Sequence, residues 1–373
     1  MKFTLGLVTD LSRIVSRRIE RFFIPKFEGY GTNYKEICES IIDDCYYDGF
    51  FHVSKGHFRN FFVRDFSIVA KHLVNLGYKK QVYDTINFAF DKFMKHHITT
   101  TITKTIFGYQ CYDLPNFGFD SIALFLKTII DTGFPLTEGH KKFILDELNH
   151  MRKNYLDSND LPKLNMAFSS IRDLQKRQRS CYDVAMLAYI QNNLGKVNIS
   201  FEFKTNFREY LLKEYWNGSY FYDDITKKDY FSTDSNIFPF WLDVFDSEEM
   251  FEKVNKTILD LGLAKPLPIR YNSQEEIKHI KFIPEEFLIS GYEKDVLWIH
   301  LGLVYLDVLK KFNKYNLLKD HLENLKKITE KYGNFVEVLF ENLTPYKSLF
   351  YFCDESLSWC ASFLDLYESI NIT

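Results

Sequence analysis

Residues 79–155 read KKQVYDTINFAFDKFMKHH (79–97), ITTTITKTIFGYQCYDLPNF (98–117), GFDSIALFLKTIIDT (118–132), GFPL (133–136) and TEGHKKFILDELNHMRKNY (137–155). The first, third and fifth pieces repeat apolar residues at helical spacing, as in Val82, Ile86, Ala89, Phe90 and Phe93, and so predict amphipathic helices. One connection is a short Gly-Phe-Pro-Leu turn; the other is a long segment closing on Pro115 and Asn116. A short and a long connection in succession make a helical hairpin open at one end only.

The same alternation runs through the chain. Periodicity predicts twelve helices near 34–47, 65–77, 79–97, 118–132, 137–155, 180–195, 199–215, 234–245, 247–261, 292–313, 315–332 and 354–370. Short turns fall at Gly77-Tyr78, Gly133 to Leu136, Gly195 to Asn198, Asp246 and Asn313-Lys314. Long connections occupy 48–64, 98–117, 156–179, 216–233, 262–291 and 333–353, and connections of that length in a compact domain tend to carry function. Six hairpins bury every apolar stripe if they close into a double ring, so the expected fold is all-α: an (α/α)6 toroid over 34–373, preceded by an N-terminal extension, 1–33. An open solenoid would repeat its sequence, and no repeat is found.

Composition agrees with a large core and an aromatic cavity: 46% of residues are hydrophobic and 17% aromatic, with 37 Phe and 24 Tyr. Formal net charge is -3 with the two signs interleaved, which disfavours a nucleic-acid partner. Six cysteines without a CxxC pair predict reduced, mostly buried thiols. The first 23 residues are interrupted by Asp10 and several arginines, so they offer neither a signal-peptide core nor an integral membrane span of about 20 apolar residues. A cytoplasmic protein is expected, with a peripheral membrane role for this basic segment as the minor reading. Oligomeric state is not set by the pattern.

In a toroid the six long loops meet on one face. There Arg64-Asp65 opens an inner helix, where Asp65 reads either as a helix cap with Arg64 as its partner or as a ligand-binding pair. The second loop mixes Asp113 and Phe117 in a turn-forming stretch, a combination suited to sugar hydroxyls and ring faces. The third carries Arg172-Asp173 before the basic run Lys176-Arg177-Gln178-Arg179, which is expected to keep Asp173 ionised. Trp216 to Phe221 predicts a Gly-centred hairpin presenting Trp216 or Tyr220; Arg270, Tyr292 and Trp298 form another wall. Glu337, flanked by Phe335, Val336, Val338 and Leu339, is the best candidate for a base, because a lone carboxylate among apolar neighbours is costly to bury without purpose. Asp354 and Glu355 read as caps of the last helix.

Together these segments resemble the six-hairpin glycosidases, the group of glucoamylases, trehalases, alkaline invertases and the glucosidase part of debranching enzymes, over about residues 48–370. The resemblance rests on Arg64-Asp65, on Trp216-Asn217-Gly218-Ser219-Tyr220-Phe221 with Asp234-Ser235-Asn236, and on Phe335-Val336-Glu337 followed after Pro345-Tyr346 by Ser358-Trp359. It implies an inverting, exo-acting hydrolase of α-linked glucosides whose substrate is an oligosaccharide or small glucoside. Arg64 and Asp65 would hold the terminal sugar, Glu337 would activate water, and a third-loop carboxylate would protonate the leaving oxygen. Trehalase-like relatives have an acidic residue where this chain has Ala167; Asp173 is the substitute, with Asp157 and Asp160 behind it. The alternative is a carbohydrate-binding relative that has lost the acid. Trp359 belongs to the expected sugar-binding set. No motif for a metal, nucleotide or other cofactor is present in the sequence. Histidine-based epimerisation fits poorly, since only His52, His57 and His279 fall in long loops.

Overall fold

The computed structural model describes residues 4–24, 26–113, 116–173, 175–273, 291–294 and 296–371; His279, Leu114 and Pro115 lie outside them. Among the described residues helix α1 spans Leu5–Phe23 and is followed by twelve other α-helices: α2 (Tyr34–Cys45), α3 (Val63–Asn75), α4 (Lys79–Phe93), α5 (Ser121–Thr132), α6 (Glu138–Tyr155), α7 (Cys181–Asn193), α8 (Phe207–Glu214), α9 (Thr233–Trp241), α10 (Glu248–Asp260), α11 (Ile299–Lys311), α12 (Tyr315–Tyr332) and α13 (Cys360–Asn371).

Helices α3, α5, α7, α9, α11 and α13 pack successively, and α13 returns to α3, closing the inner ring. Their sequences explain the position. All nine residues of α9 are buried, as are nearly all of α7 and α11, and a helix apolar on every side must be enclosed. The outer helices keep one buried stripe each, such as Val82, Ile86, Ala89, Phe90 and Phe93 on α4. Gly133 ends α5 in the left-handed region (φ 66°) that L side chains avoid, and Thr137 with His140 then starts α6 through a capping box. The expected double ring of hairpins is therefore the observed fold.

Every inner helix follows a long connection, so all six N-termini face the same side. Carboxylates are favoured at such positive ends, and Asp65, Asp183 and Asp234 occupy first turns while Asp120 precedes α5.

Several boundaries differ from expectation. The second long connection is a β-hairpin, β4 (Thr101–Thr105) with β5 (Gly108–Tyr112), joined by β3 (Phe61–Phe62); the β-branched run from Thr99 to Thr105 carries that signal. Strands β1 (Tyr46–Tyr47) and β2 (Phe50–Phe51) form a small ribbon after α2. Helix α8 begins only at Phe207, because Asn198 turns the chain at φ 56°. Helix α11 begins at Ile299, since β6 (Leu297–Trp298) pairs antiparallel with β7 (Val338–Leu339). The last helix begins at Cys360, after Glu355 bridges to Val336. All six cysteines are unpaired thiols and only Cys111 is partly exposed.

Candidate active site

The β6–β7 pairing sets Glu337 in place. Its N–H donates to the Asp354 carbonyl at 3.0 Å, and its own carbonyl accepts from Ile299 at 3.3 Å. The side chain is buried and receives three hydrogen bonds: Tyr292 Oη donates to Oε1 at 2.5 Å, Tyr351 Oη to Oε2 at 2.7 Å, and the Asp354 N–H to Oε2 at 2.7 Å. These donors favour the carboxylate, but burial outweighs them and lifts the group to about 7. Behind Tyr351 stands His57, Nε2 at 3.2 Å from the hydroxyl, kept neutral by burial. Its other ring nitrogen, Nδ1, lies 3.3 Å from Asp354 Oδ1.

An unbroken strip of rings leads from this carboxylate to the first inner helix. Tyr292 meets Trp298 edge-on with centroids 4.6 Å apart, Trp298 meets His300 at 4.8 Å, and His300 meets Trp359 at 5.0 Å. Trp359 Nε1 donates to Asp65 Oδ1 at 2.9 Å. Burial pushes Asp65 up to about 6, while burial and the Arg64 charge press His300 down to about 3.

At the far end of the strip Arg64 holds two carboxylates at once. Its Nε lies 3.1 and 2.8 Å from the oxygens of Asp120, and Nη1 lies 2.9 Å from Asp173 Oδ1. Tyr182 Oη adds a 2.9 Å bond to Asp120. Asp120 is fully buried, whereas the Asp173 side chain is 43% exposed. Desolvation outweighs the pull of Arg64 and raises the Asp173 carboxyl above the usual range. This corrects the expectation from the basic run. Arg177 instead binds Asp223 and Asp234, and Arg179 binds Asp157.

The capping readings are corrected too. Asp65 is bonded by Trp359 and Arg64 pairs with Asp120 and Asp173, while the N-cap of α3 is Phe62 with no side-chain cap. Asp354 accepts from Ser54 Oγ and from the N–H groups of His57 and Phe58, bracing the first long loop. A Cβ at Gly56 would collide with that carboxylate. Glu355 pairs with Arg17 and Arg21 of α1.

The remaining sequence-chosen residues mostly support loops. Asp113 accepts from Thr100 N and Oγ1 at 2.7 and 2.8 Å, and Phe117 stacks on Tyr155 at 3.7 Å. Arg172 is fully buried, with Nη1 3.3 Å from Ser232 Oγ and its guanidinium 4.7 Å above Tyr271, which itself packs on Trp298; it backs the strip. Trp216 pairs with Phe221 across the expected hairpin, which turns at Gly218, and Tyr220 Oη donates to Asp229 at 3.0 Å. Arg270 binds the Lys265 carbonyl and Glu341, each at 2.9 Å. Asp160 is held by Arg152, and Asp157 closes a turn and accepts from Arg179. Ala167 is exposed. Sequence reasoning missed Tyr351, His300, Tyr182 and the central place of Asp120. Asp120 alone had a visible signal, as an acid at the start of an inner helix.

A cavity of about 380 Å³ opens at the opposite end of the ring, where His72 lies between Asp307 (3.3 Å) and Asp365 (2.7 Å) and Lys127 pairs with Asp131. The polar groups there bind one another. Among the described residues no group of three or more His, Cys, Asp or Glu side chains is arranged for a metal ion.

No family model and no curated protein matches the chain. Its structure is similar to a glycosidase variant in complex with glucose (TM-score 0.60, 10% identity, covering 97% of this chain and 98% of that one). It is likewise similar to a GH63 mannosylglycerate hydrolase from Thermus thermophilus in complex with Tris (0.58, 10%, 90% and 100%). A rhamnosidase from Klebsiella oxytoca with rhamnose bound also aligns (0.64, 10%, 92% and 66%). At this identity the likeness establishes architecture, and the chain has the (α/α)6 toroid fold of these glycosidases.

Proposed function

We propose that the chain is an inverting, exo-acting glycoside hydrolase on α-linked glucosides, with residues 34–373 as the glycosidase-like unit and the cytoplasm as its location. The observation that carries the reading is Glu337, a buried carboxylate lifted to about 7 and oriented by two tyrosine hydroxyls and a backbone N–H. A base tuned near neutrality is what water activation needs. In the proposed step Glu337 takes a proton from water, whose oxygen attacks the anomeric carbon. The bond to the leaving oxygen breaks as Asp173 gives that oxygen a proton. Inverting pairs stand about 6.5–9.5 Å apart to admit the water. Trp298, His300 and Trp359 supply ring faces for a sugar, and Asp65 and the unpartnered, buried Nη2 of Arg64 supply groups for its hydroxyls.

A second reading, a carbohydrate-binding protein without hydrolysis, is favoured by Ala167 and by the ion pair that ties Asp173 to Arg64. Incubation with maltose, maltotriose, trehalose, isomaltose and sucrose separates the two. Release of glucose from one of them supports the hydrolase; a raised melting temperature without cleavage supports the binding protein.

A further inference from the structure

Helix α1 is amphipathic in the inverted sense. Its charged face is turned to the body of the protein: Asp10 accepts from Asn60, Thr103 and Tyr112, Arg17 and Arg21 pair with Glu355, and Arg18 donates to the Ser348 carbonyl at 3.0 Å. Its apolar face is turned outward. Val8, Leu11, Val15, Ile19 and Phe22 form one exposed stripe along the whole helix, continued by Phe23 and Ile24. Hydrophobicity alone would have rolled this helix over, so the buried polar contacts hold the apolar stripe in water. Single exposed apolar residues are ordinary, but a continuous stripe of this length marks an interaction surface.

Two turns extend the surface. The tip of the β4–β5 hairpin, against which α1 packs, carries Ile106 and Phe107, 86% and 83% exposed. The turn beside Arg18 carries Leu349 and Phe350, both exposed. We infer that this face docks on an anionic lipid surface, with α1 lying in the interface and the two turn tips inserted beside it.

Shape and charge select that occupant. Phe22, Phe23 and Ile24 are consecutive, Phe22 and Phe23 are 72% and 74% exposed, and neighbours on a helix point about 100° apart. A single helix–helix seam could not receive all three, whereas a fluid acyl layer accepts them from any direction. Protruding tips likewise suit a deformable phase better than a self-complementary contact, which requires pockets to match. Around the patch Arg13 pairs with Asp10 and Lys104 with Asp48, and beyond those pairs Arg18, Lys26, Arg59 and Lys347 stand against Glu20 and Glu28, the complement of an anionic headgroup layer. No helix among the described residues is long and apolar enough to cross a membrane, so contact would be at the surface.

The test is flotation of the full chain with phosphatidylcholine vesicles, with and without 30% phosphatidylglycerol, alongside sedimentation velocity without lipid. The expected result is co-flotation with the anionic vesicles at low salt, reduced roughly tenfold or more in Phe22→Ser/Phe23→Ser and in Ile106→Ser/Phe107→Ser. Both variants change exposed side chains and should keep the wild-type circular dichroism and melting temperature. A chain that stays off both vesicle types overturns the inference. If it also sediments as a dimer that the same variants dissociate, the occupant is a second copy of this chain.

Discussion

Tyr351 Oη lies 2.7 Å from Glu337 Oε2 and 3.2 Å from His57 Nε2, so one phenol connects the candidate base to a neutral histidine held in the first long loop. The ionised form of Glu337 depends on that donor and on Tyr292, which sets the first prediction.

Tyr351→Phe removes a donor that stabilises the carboxylate, and Glu337 should then ionise at higher pH. A hydrogen bond to a charged group contributes about 1.5–3 kcal/mol, or about 1–2 pH units. The acid limb of the kcat/KM profile should move up from near 7 by that amount, with Tyr292→Phe acting in the same direction. An unmoved acid limb in folded variants would assign it to another group.

Asp173→Asn should leave folding nearly intact, because that side chain is 43% exposed, but should abolish protonation of the leaving oxygen. Hydrolysis of maltose should fall roughly 100-fold or more. A nitrophenyl α-glucoside, whose leaving group needs no proton, should lose far less. Equal losses on both substrates would give Asp173 a binding role only.

Arg64→Met leaves Asp120 as an unpaired buried charge and should cost about 3–5 kcal/mol in urea unfolding. Adding Asp120→Asn removes the charge and should restore part of the loss. Additive destabilisation by the two changes would mean that the pair does not act as a unit.

At the other end of the ring, His72 between Asp307 and Asp365 is raised to about 9. A histidine unfolds with an ordinary value near 6.5, so its stabilising contribution, about 3 kcal/mol, is complete below about pH 6.5 and fades as pH rises through 9. Wild type should therefore lose stability between pH 7 and 9.5 more steeply than His72→Gln. Parallel profiles would show that the imidazolium contributes nothing.

The ring was legible because it depends on two local signals. Apolar spacing located twelve helices, and the alternation of Gly133-type turns with long connections paired them. Glu337 was legible as one acid inside an apolar run. Its partners were not: Tyr292 and Tyr351 reach it from residues 45 and 14 positions away, a juxtaposition made by β6 pairing with β7. Asp354 and Glu355 were misread for the same reason, since local sequence suggests caps and the tertiary fold supplies Ser54, Arg17 and Arg21 instead. The β4–β5 hairpin was not among the elements expected, although the β-branched run through Thr101 to Thr105 carries a strand signal.

In the proposed reaction Glu337 activates water for inversion at an α-glucosidic carbon. The most direct measurement is proton NMR of the anomeric signals in the first minutes of cleavage of a nitrophenyl α-glucoside, which releases a single glucose, for wild type and Glu337→Gln. β-Glucose should appear before mutarotation in wild type, with a rate at least about 1,000-fold lower in the variant. α-Glucose as the first product, or undiminished cleavage by a folded Glu337→Gln, would contradict it.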